Sequence, residues 1–396
     1  MPIRQPVDVV VVGAGVVGAA CAYYASRSGL SVAVVERGPV AGGTTGAGEG
    51  NLLVSDKAPG PELDLALLSL SLWRELAEEL PADIEFDPKG GLVVAAGDAS
   101  LAALSASAEG QRASGVEAYH VTPDRLRDVE PHLAPGLAGG ILYPQDCQVQ
   151  PALAAARLLH AARRAGALFL PDEEVLEICG EPGGGGVRGV RTSRGELAAA
   201  VVVNAAGTWG GRVAALAGVE LPVQPRRGFV LVTEPLPPLI RHKVYAAEYM
   251  ADVASGSAAL QTSPVVEGTP AGPVLIGASR ERVGFERTLS VPVVARLASQ
   301  ASALFPALAD VRVLRTYHGF RPYLPDHLPA IGPDGRMPGL FHACGHEGAG
   351  IGLAPATGSL IASVISGEKP ALDLEPFAPD RFDPLVPCHM TEEWTS

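Results

Sequence analysis

Cysteine is scarce and scattered. The chain has five, Cys21, Cys147, Cys179, Cys344 and Cys388, with no Cys-x-x-Cys pair and no His-Cys spacing for a metal. That pattern excludes a zinc-binding module and a disulfide scaffold, leaves no metal site to expect, and suits free thiols in a reducing compartment. Positive charge is also short: 30 Lys and Arg stand against 43 Asp and Glu, a net charge of −13. Such a balance repels polyanions and no basic patch offsets it, so nucleic acid and anionic membrane surfaces are excluded as partners. The first strand begins by Val7, which leaves no room for a secretory leader, and a cytoplasmic location is expected. The one apolar stretch of spanning length, Val7 to Ala25 with Asp8 its single charge, is broken by clustered glycines. A second strand follows at once, which argues against a membrane span.

The 396 residues suffice for a large core and, at roughly 150 residues each, about two domains. The first informative segment is VDVVVVGAGVVGAACAYYASRSGLSVAVVERG, Val7 to Gly38. Asp8–Val12 is a β-branched run suited to a parallel strand buried on both faces. Gly13, Gly15 and Gly18 complete a GxGxxG. The first permits the tight turn, the second lets backbone approach a pyrophosphate, and the third lets the helix lie close to the strand. The helix N-terminus, with Val16 and Val17, supplies free N–H groups and a positive dipole end for phosphate. SVAVVE forms the next strand, and its terminal Glu36 can accept both ribose hydroxyls of an adenosine. This is a dinucleotide-binding βαβ unit.

Further along, GPVAGGTTGAGEGNLL is a flexible glycine- and threonine-rich loop able to wrap a cofactor. The helix in 61–80 places Leu65, Leu68, Leu72 and Leu76 on one face. Residues 84–96 read as a hairpin turning at Gly90–Gly91, with a helix over 99–114 and another from Pro151 to Gly166 opened by proline. Glycines 183–186 read as a hairpin tip. A strand over 199–207 ends in Ala-Ala-Gly, where backbone can pass close to a cofactor. Four strand candidates between 222 and 281, a helix over 291–304 and a strand over 312–319 read as a separate antiparallel unit. Near the end, HACGHEGAGIGLAPATG is a strand, a glycine turn and a helix starting near Ile351, a second helix N-terminus aimed at something electron-rich.

GAGVVG with Glu36, GGTTGAG, VVNAAGTW, GFRPYLPDHLPAIG and GHEGAGIGLAPATG together resemble the flavin amine-oxidoreductase family of D-amino-acid oxidase, glycine oxidase and sarcosine oxidase. The last motif looks nearest to bacterial D-amino-acid, hydroxyproline and opine dehydrogenase subunits. The motifs run in the family's order from Val7 to about Ile365. The resemblance implies an α/β fold: a Rossmann-type FAD-binding domain and a second, antiparallel-sheet α+β substrate domain. It divides the chain into 1–84, 147–215 and 325–373 for FAD, 85–146 and 216–324 for substrate, and a tail over 374–396.

It also implies non-covalent FAD, since Gly319, Phe320, Arg321 and Pro322 stand where some relatives carry a tethering cysteine. Besides the opening motif with Glu36 and Arg37, the implied cofactor contacts are Gly43, Thr44, Thr45, Gly48, Gly50 and Asn51. Val175, Ala206, Gly207 and Trp209 follow, then Gly345, His346, Gly348, Ala349, Gly350 and Ile351. Hydride would pass from a carbon bearing an amine to flavin N5. Arg321 occupies the family's carboxylate-clamping position, its competing use being an ion pair with Asp326. Tyr245 and Tyr249 sit where family tyrosines line the substrate, with plain packing as the competing use. Arg227 and His346 are further candidates, His346 for proton transfer or for a hydrogen bond to the flavin loop. The implied activity is oxidation of the CH–N bond of a small amino acid or N-alkyl amino acid to an imine, as a dehydrogenase. The alternatives are an oxidase using O2 and a flavin relay subunit of a multisubunit complex.

Overall fold

Continuous valine runs form parallel strands because both their faces can be buried. In a computed structural model, which describes residues 5–80, 84–181 and 185–382, the strand Val7–Val12 lies between Val32–Glu36 and Gly195–Asn204, parallel to both. Leu168–Pro171 extends the sheet on one side and Leu340–Cys344 on the other, again in parallel, and Ala330–Pro333 closes that edge antiparallel. Val175–Gly180 and Val187–Thr192 continue antiparallel from 195–204, bringing the sheet to eight strands.

Three helices cover one face of this sheet: Val16–Arg27, Pro151–Arg164 and Gly350–Ile365. Small side chains set their spacing. A Cβ on Gly358 would stand 2.6 Å from the Ala20 carbonyl carbon, so the first and last helices touch backbone to backbone. The helix Pro61–Glu79 packs on the last helix, and its Trp73 indole N–H donates to the Ile351 and Gly352 carbonyls at 3.0 and 3.1 Å.

The second sheet also has eight strands, in the order 313–323, 224–235, 273–280, 261–268, 243–246, 91–95, 139–143 and 119–121. It is antiparallel except where 243–246 meets 91–95. The helix Val291–Leu304 covers one of its faces, packing Val293, Leu297, Ala301 and Leu304 with Phe229, Leu231 and Ile276. The opposite face, at Gly228, Val230 and Gly319, looks onto the carboxyl ends of the parallel strands. The α/β class and the separate antiparallel sheet are therefore as the sequence implies.

Three local expectations fail. Residues 84–96 are not a hairpin: only Gly91–Ala95 is a strand, paired to 139–143 and 243–246, while Asp87 exchanges backbone bonds with Gln148. The Gly-Gly pair serves close approach instead, since a Cβ on Gly91 would collide with the Asp146 carboxylate. The segment from 243 is a strand only to Ala246, then the helix Glu248–Ala254. The buried face of Pro61–Glu79 runs through Leu63, Ala66, Leu70, Trp73 and Leu76, because the Trp73 tether sets its rotation; Leu68 and Leu72 are only half-buried. The first two glycines of the 183–186 run and the tail beyond 382, with Cys388, lie outside the described residues.

Candidate functional site

A cavity of about 460 Å³ lies between the carboxyl ends of strands 7–12, 32–36 and 195–204 and the open face of the antiparallel sheet. The GxGxxG forms its floor. Gly13 has φ +109°, and a Cβ there would sit 2.7 Å from the Ala205 carbonyl oxygen. Gly18 does not reach the cavity. Its missing Cβ would overlap the Gly13 carbonyl oxygen, so this glycine draws the helix onto the strand end. Gly15, Val16 and Val17 line the space, and the Val16 N–H donates to Thr45 Oγ1 at 3.1 Å, tying the loop over 43–50 to the helix N-terminus.

At one end the Glu36 carboxylate is oriented by backbone donors, accepting from Ala14 N and Gly38 N at 2.8 Å each. Arg37 stacks over Trp209 at 4.6 Å, and Trp209 stacks on Phe285 at 5.6 Å and 11°. Val175, Ala206 and Gly207 line this end. Gly43, Thr44, Thr45, Gly48, Gly50 and Asn51 form one wall. Thr44 and Thr208 both donate to the Phe320 carbonyl, at 2.6 and 2.7 Å, and so join that wall to the roof strand.

The far end is built by the turn before the last helix. His346, Gly348, Gly350 and Ile351 line it, whereas Gly345, with φ +84°, packs on Leu324, and Ala349 faces a small hollow beside Asn51 and Lys57. Burial pushes the His346 pKa down to about 3. Its Nε2 lies 3.0 Å from the Thr357 hydroxyl, which itself donates to the Leu353 carbonyl, so the ring is neutral and carries its proton on Nε2. A base that weak is poorly suited to take a proton at neutral pH. Glu347 accepts from Arg226 and His327 across the joint between the sheets. Burial opposes its charge, but the His327 bond and the Arg226 charge hold its pKa near 2.

On the roof, Arg321 points into the cavity. Its Nη1 donates to the Ser279 carbonyl at 2.8 Å and lies over Gly228, where a Cβ would collide with it. Burial and then the charge of Arg280 push its pKa down. The alternative pairing with Asp326 does not form, because Asp326 binds Arg381 at 2.7 Å. Tyr249, 9 % exposed, lines the cavity.

Tyr245 corrects the sequence reading. It is fully buried below Tyr249, and its hydroxyl donates to Ser55 Oγ, which in turn binds Asp146. Strand alternation turns it into the core. Arg227 is likewise structural, paired with Glu281 at 2.8 Å.

Sequence reasoning missed Glu49, Arg212 and Glu347, all on the cavity wall. A lone acid inside the glycine loop GAGEGN and another beside His346 were the available signals. Among the described residues no group of three or more His, Cys, Asp or Glu is placed to hold a metal ion.

The glycine floor, the anchored acid at the end of the second strand and a helix N-terminus at the far end fit an extended dinucleotide. Joined to a roof that presents an arginine, they define a dinucleotide-dependent oxidoreductase. The family model described as DAO, FAD dependent oxidoreductase, matches residues 8–364, and the chain belongs to that family. Its cofactor is FAD. The chain is 32% identical to the glycine oxidase of Geobacillus kaustophilus (strain HTA426), over 94% of this chain and 96% of that one. It is 31% identical to the hydrogen cyanide synthase subunit HcnC of Pseudomonas aeruginosa, covering 95% and 96%. The crystal structure of the Geobacillus kaustophilus glycine oxidase superposes with a TM-score of 0.86 at 31% identity, covering 96% of this chain and 99% of that one.

Proposed function

We propose that this chain oxidises the CH–N bond of a small amino acid or N-alkyl amino acid to an imine, which then hydrolyses, and that it works as a dehydrogenase. The observation that carries the reading is Arg321, a cavity-lining guanidinium with no carboxylate partner among the described residues. A planar fork of donors suits a bidentate carboxylate. The relatives described as glycine oxidase support the amino-acid class.

FAD, when bound, supplies the hydride acceptor. The chain's residues bind and orient. Gly13, Gly15, Val16 and Val17 would hold the pyrophosphate, and Glu36 the ribose; Arg37, Val175, Ala206, Gly207 and Trp209 would surround the adenosine. The loop 43–51 and the turn 346–351 would hold the isoalloxazine, with the last helix turning its positive end toward the site. Gly18 and Gly345 serve by packing, and Ala349 by closing the turn. Arg321 fixes the substrate carboxylate, Tyr249 bounds the substrate, and the neutral His346 orders the turn. This assignment keeps the FAD segments at 1–84, 147–215 and 325–373 and the substrate segments at 85–146 and 216–324. Attachment is non-covalent on this reading, because no cysteine lines the cavity among the described residues. Cys21, Cys147 and Cys344 are free, with pKa values raised to about 12 by burial, which supports a reducing, cytoplasmic setting. No helix among the described residues is long and apolar enough to cross a membrane.

The test is anaerobic bleaching of the yellow protein by a panel of glycine, sarcosine, D-proline and D-alanine. Bleaching followed by slow reoxidation in air and fast reoxidation by dye is expected; fast reoxidation in air would make it an oxidase. The HcnC likeness favours a second reading, a flavin subunit working with partner chains. Failure of every amine to bleach the isolated chain would favour that reading. Replacing Arg321 with alanine should weaken acetate binding and raise KM roughly 10- to 150-fold, the equivalent of about 1.5–3 kcal/mol for a charge-assisted pair. Unchanged values would remove its role.

A further inference from the structure

Arg280 ends the strand 273–280 and is 3 % exposed. Other arginines are neutralised nearby: the buried Arg226 by Glu347 and Arg227 by Glu281, and the half-buried Arg381 by Asp326. The Arg280 guanidinium has no ion pair and no hydrogen bond to any described residue. Its contact is the face of Tyr249, 4.9 Å from the ring centroid. A buried cation is costly unless an anion meets it.

Its position says where that anion comes from. Tyr249 lines the cavity, and Arg280 packs on its ring. The residue before Arg280, Ser279, supplies the carbonyl that holds Arg321. The Arg280 charge therefore bears on Arg321: after burial, it opposes the charge there. The nearby acid, Glu49, lies over Gly277 and makes no ion pair with either arginine. Glu49 and Glu347 favour the Arg321 charge from a distance, but neither pairs with it or with Arg280, and two unpaired guanidinium groups describe an anion seat that the protein leaves for its substrate to complete.

We propose that Arg280 is a second carboxylate-binding residue of the substrate site, acting together with Arg321. This rests on the reading of Arg321 as a carboxylate clamp. The ligand chemistry is a carboxylate held by two guanidinium groups, which either bridges both through its two oxygens or is one of two carboxylates on the same substrate.

Acetate and malonate, titrated into the oxidised FAD-loaded protein and followed by the perturbation of the flavin absorbance band, test this directly. The proteins compared are wild type, Arg280→Met, Arg280→Lys and Arg321→Ala. In Arg280→Met, about tenfold or greater weakening of acetate identifies a bridged single carboxylate. Weakening of malonate alone identifies a second carboxylate. Arg280→Lys should recover part of the loss. Without ligand, Arg280→Met should melt at or above the wild-type temperature, because a cation lacking an anion has been removed; a merely structural arginine would lower it. Binding of both ligands to Arg280→Met within about twofold of wild type overturns the proposal. Loss in Arg321→Ala with no loss in Arg280→Met discards Arg280 alone. Retention in both variants, or no binding to wild type, discards the clamp reading as well.

Discussion

Gly18→Ala is expected to give a protein purified without its yellow colour. The new Cβ would overlap the Gly13 carbonyl oxygen and lie 3.0 Å from its carbon and 3.3 Å from the Ala205 Cβ. These are mostly backbone atoms that cannot rotate away. The helix Val16–Arg27 must move instead, yet it is pinned behind by Gly358 against Ala20. Overpacking in a core costs about 1–3 kcal/mol where side chains can adjust, and more where only backbone can. Because the helix carries the N–H groups at Gly15–Val17, its displacement also removes the phosphate site. The ratio of flavin to protein absorbance after gel filtration measures the outcome, with far-ultraviolet circular dichroism to score folding. Full FAD occupancy at an unchanged melting temperature would contradict the packing argument.

Glu347→Gln is expected to lower stability at pH 7 by about 3 kcal/mol, because it leaves the buried Arg226 guanidinium with only neutral acceptors, among them Asp252 O, Ser255 O and Gln261 Oε1. The sign with pH follows from the pKa near 2, below the ordinary carboxylate value of 4.5. Stability from this group is fully present above about pH 4.5 and is lost as pH falls toward 2. Urea melts of wild type and variant should thus differ most at neutral pH and converge in acid. A gap independent of pH between 3 and 7 would exclude the ion pair as its source.

What the sequence made legible was local. The floor of the cavity was visible because GxGxxG, a β-branched strand and Glu36 are adjacent in the chain, and their chemistry depends on backbone. The GHEGAG turn was visible for the same reason. Tyr245 and Tyr249 were not separable: four positions apart, they straddle the switch from strand to helix at 246–248, and a one-residue change of period decides which faces the cavity. Leu68 and Leu72 were misassigned because the rotation of their helix is set by Trp73 reaching a helix almost three hundred residues away. Arg280 carries no signal in sequence at all. Its meaning lies in a missing partner, and that is a property of three dimensions.

The strand order of the parallel sheet has a consequence for synthesis. Val7–Val12 leaves the ribosome first, but one of its neighbours is 195–204 and that strand's neighbour is 340–344. At about 5–20 residues per second, roughly 20–70 s separate the opening glycine motif from the last helix that completes its cofactor cavity. Until 195–204 is made, roughly 10–40 s after the glycine motif at that rate, the valine strand has an uncovered edge, a template for wrong pairing. The cavity's last wall, at 346–351, is thus made late, and flavin supply during expression is expected to govern how much protein survives more than how fast it is made.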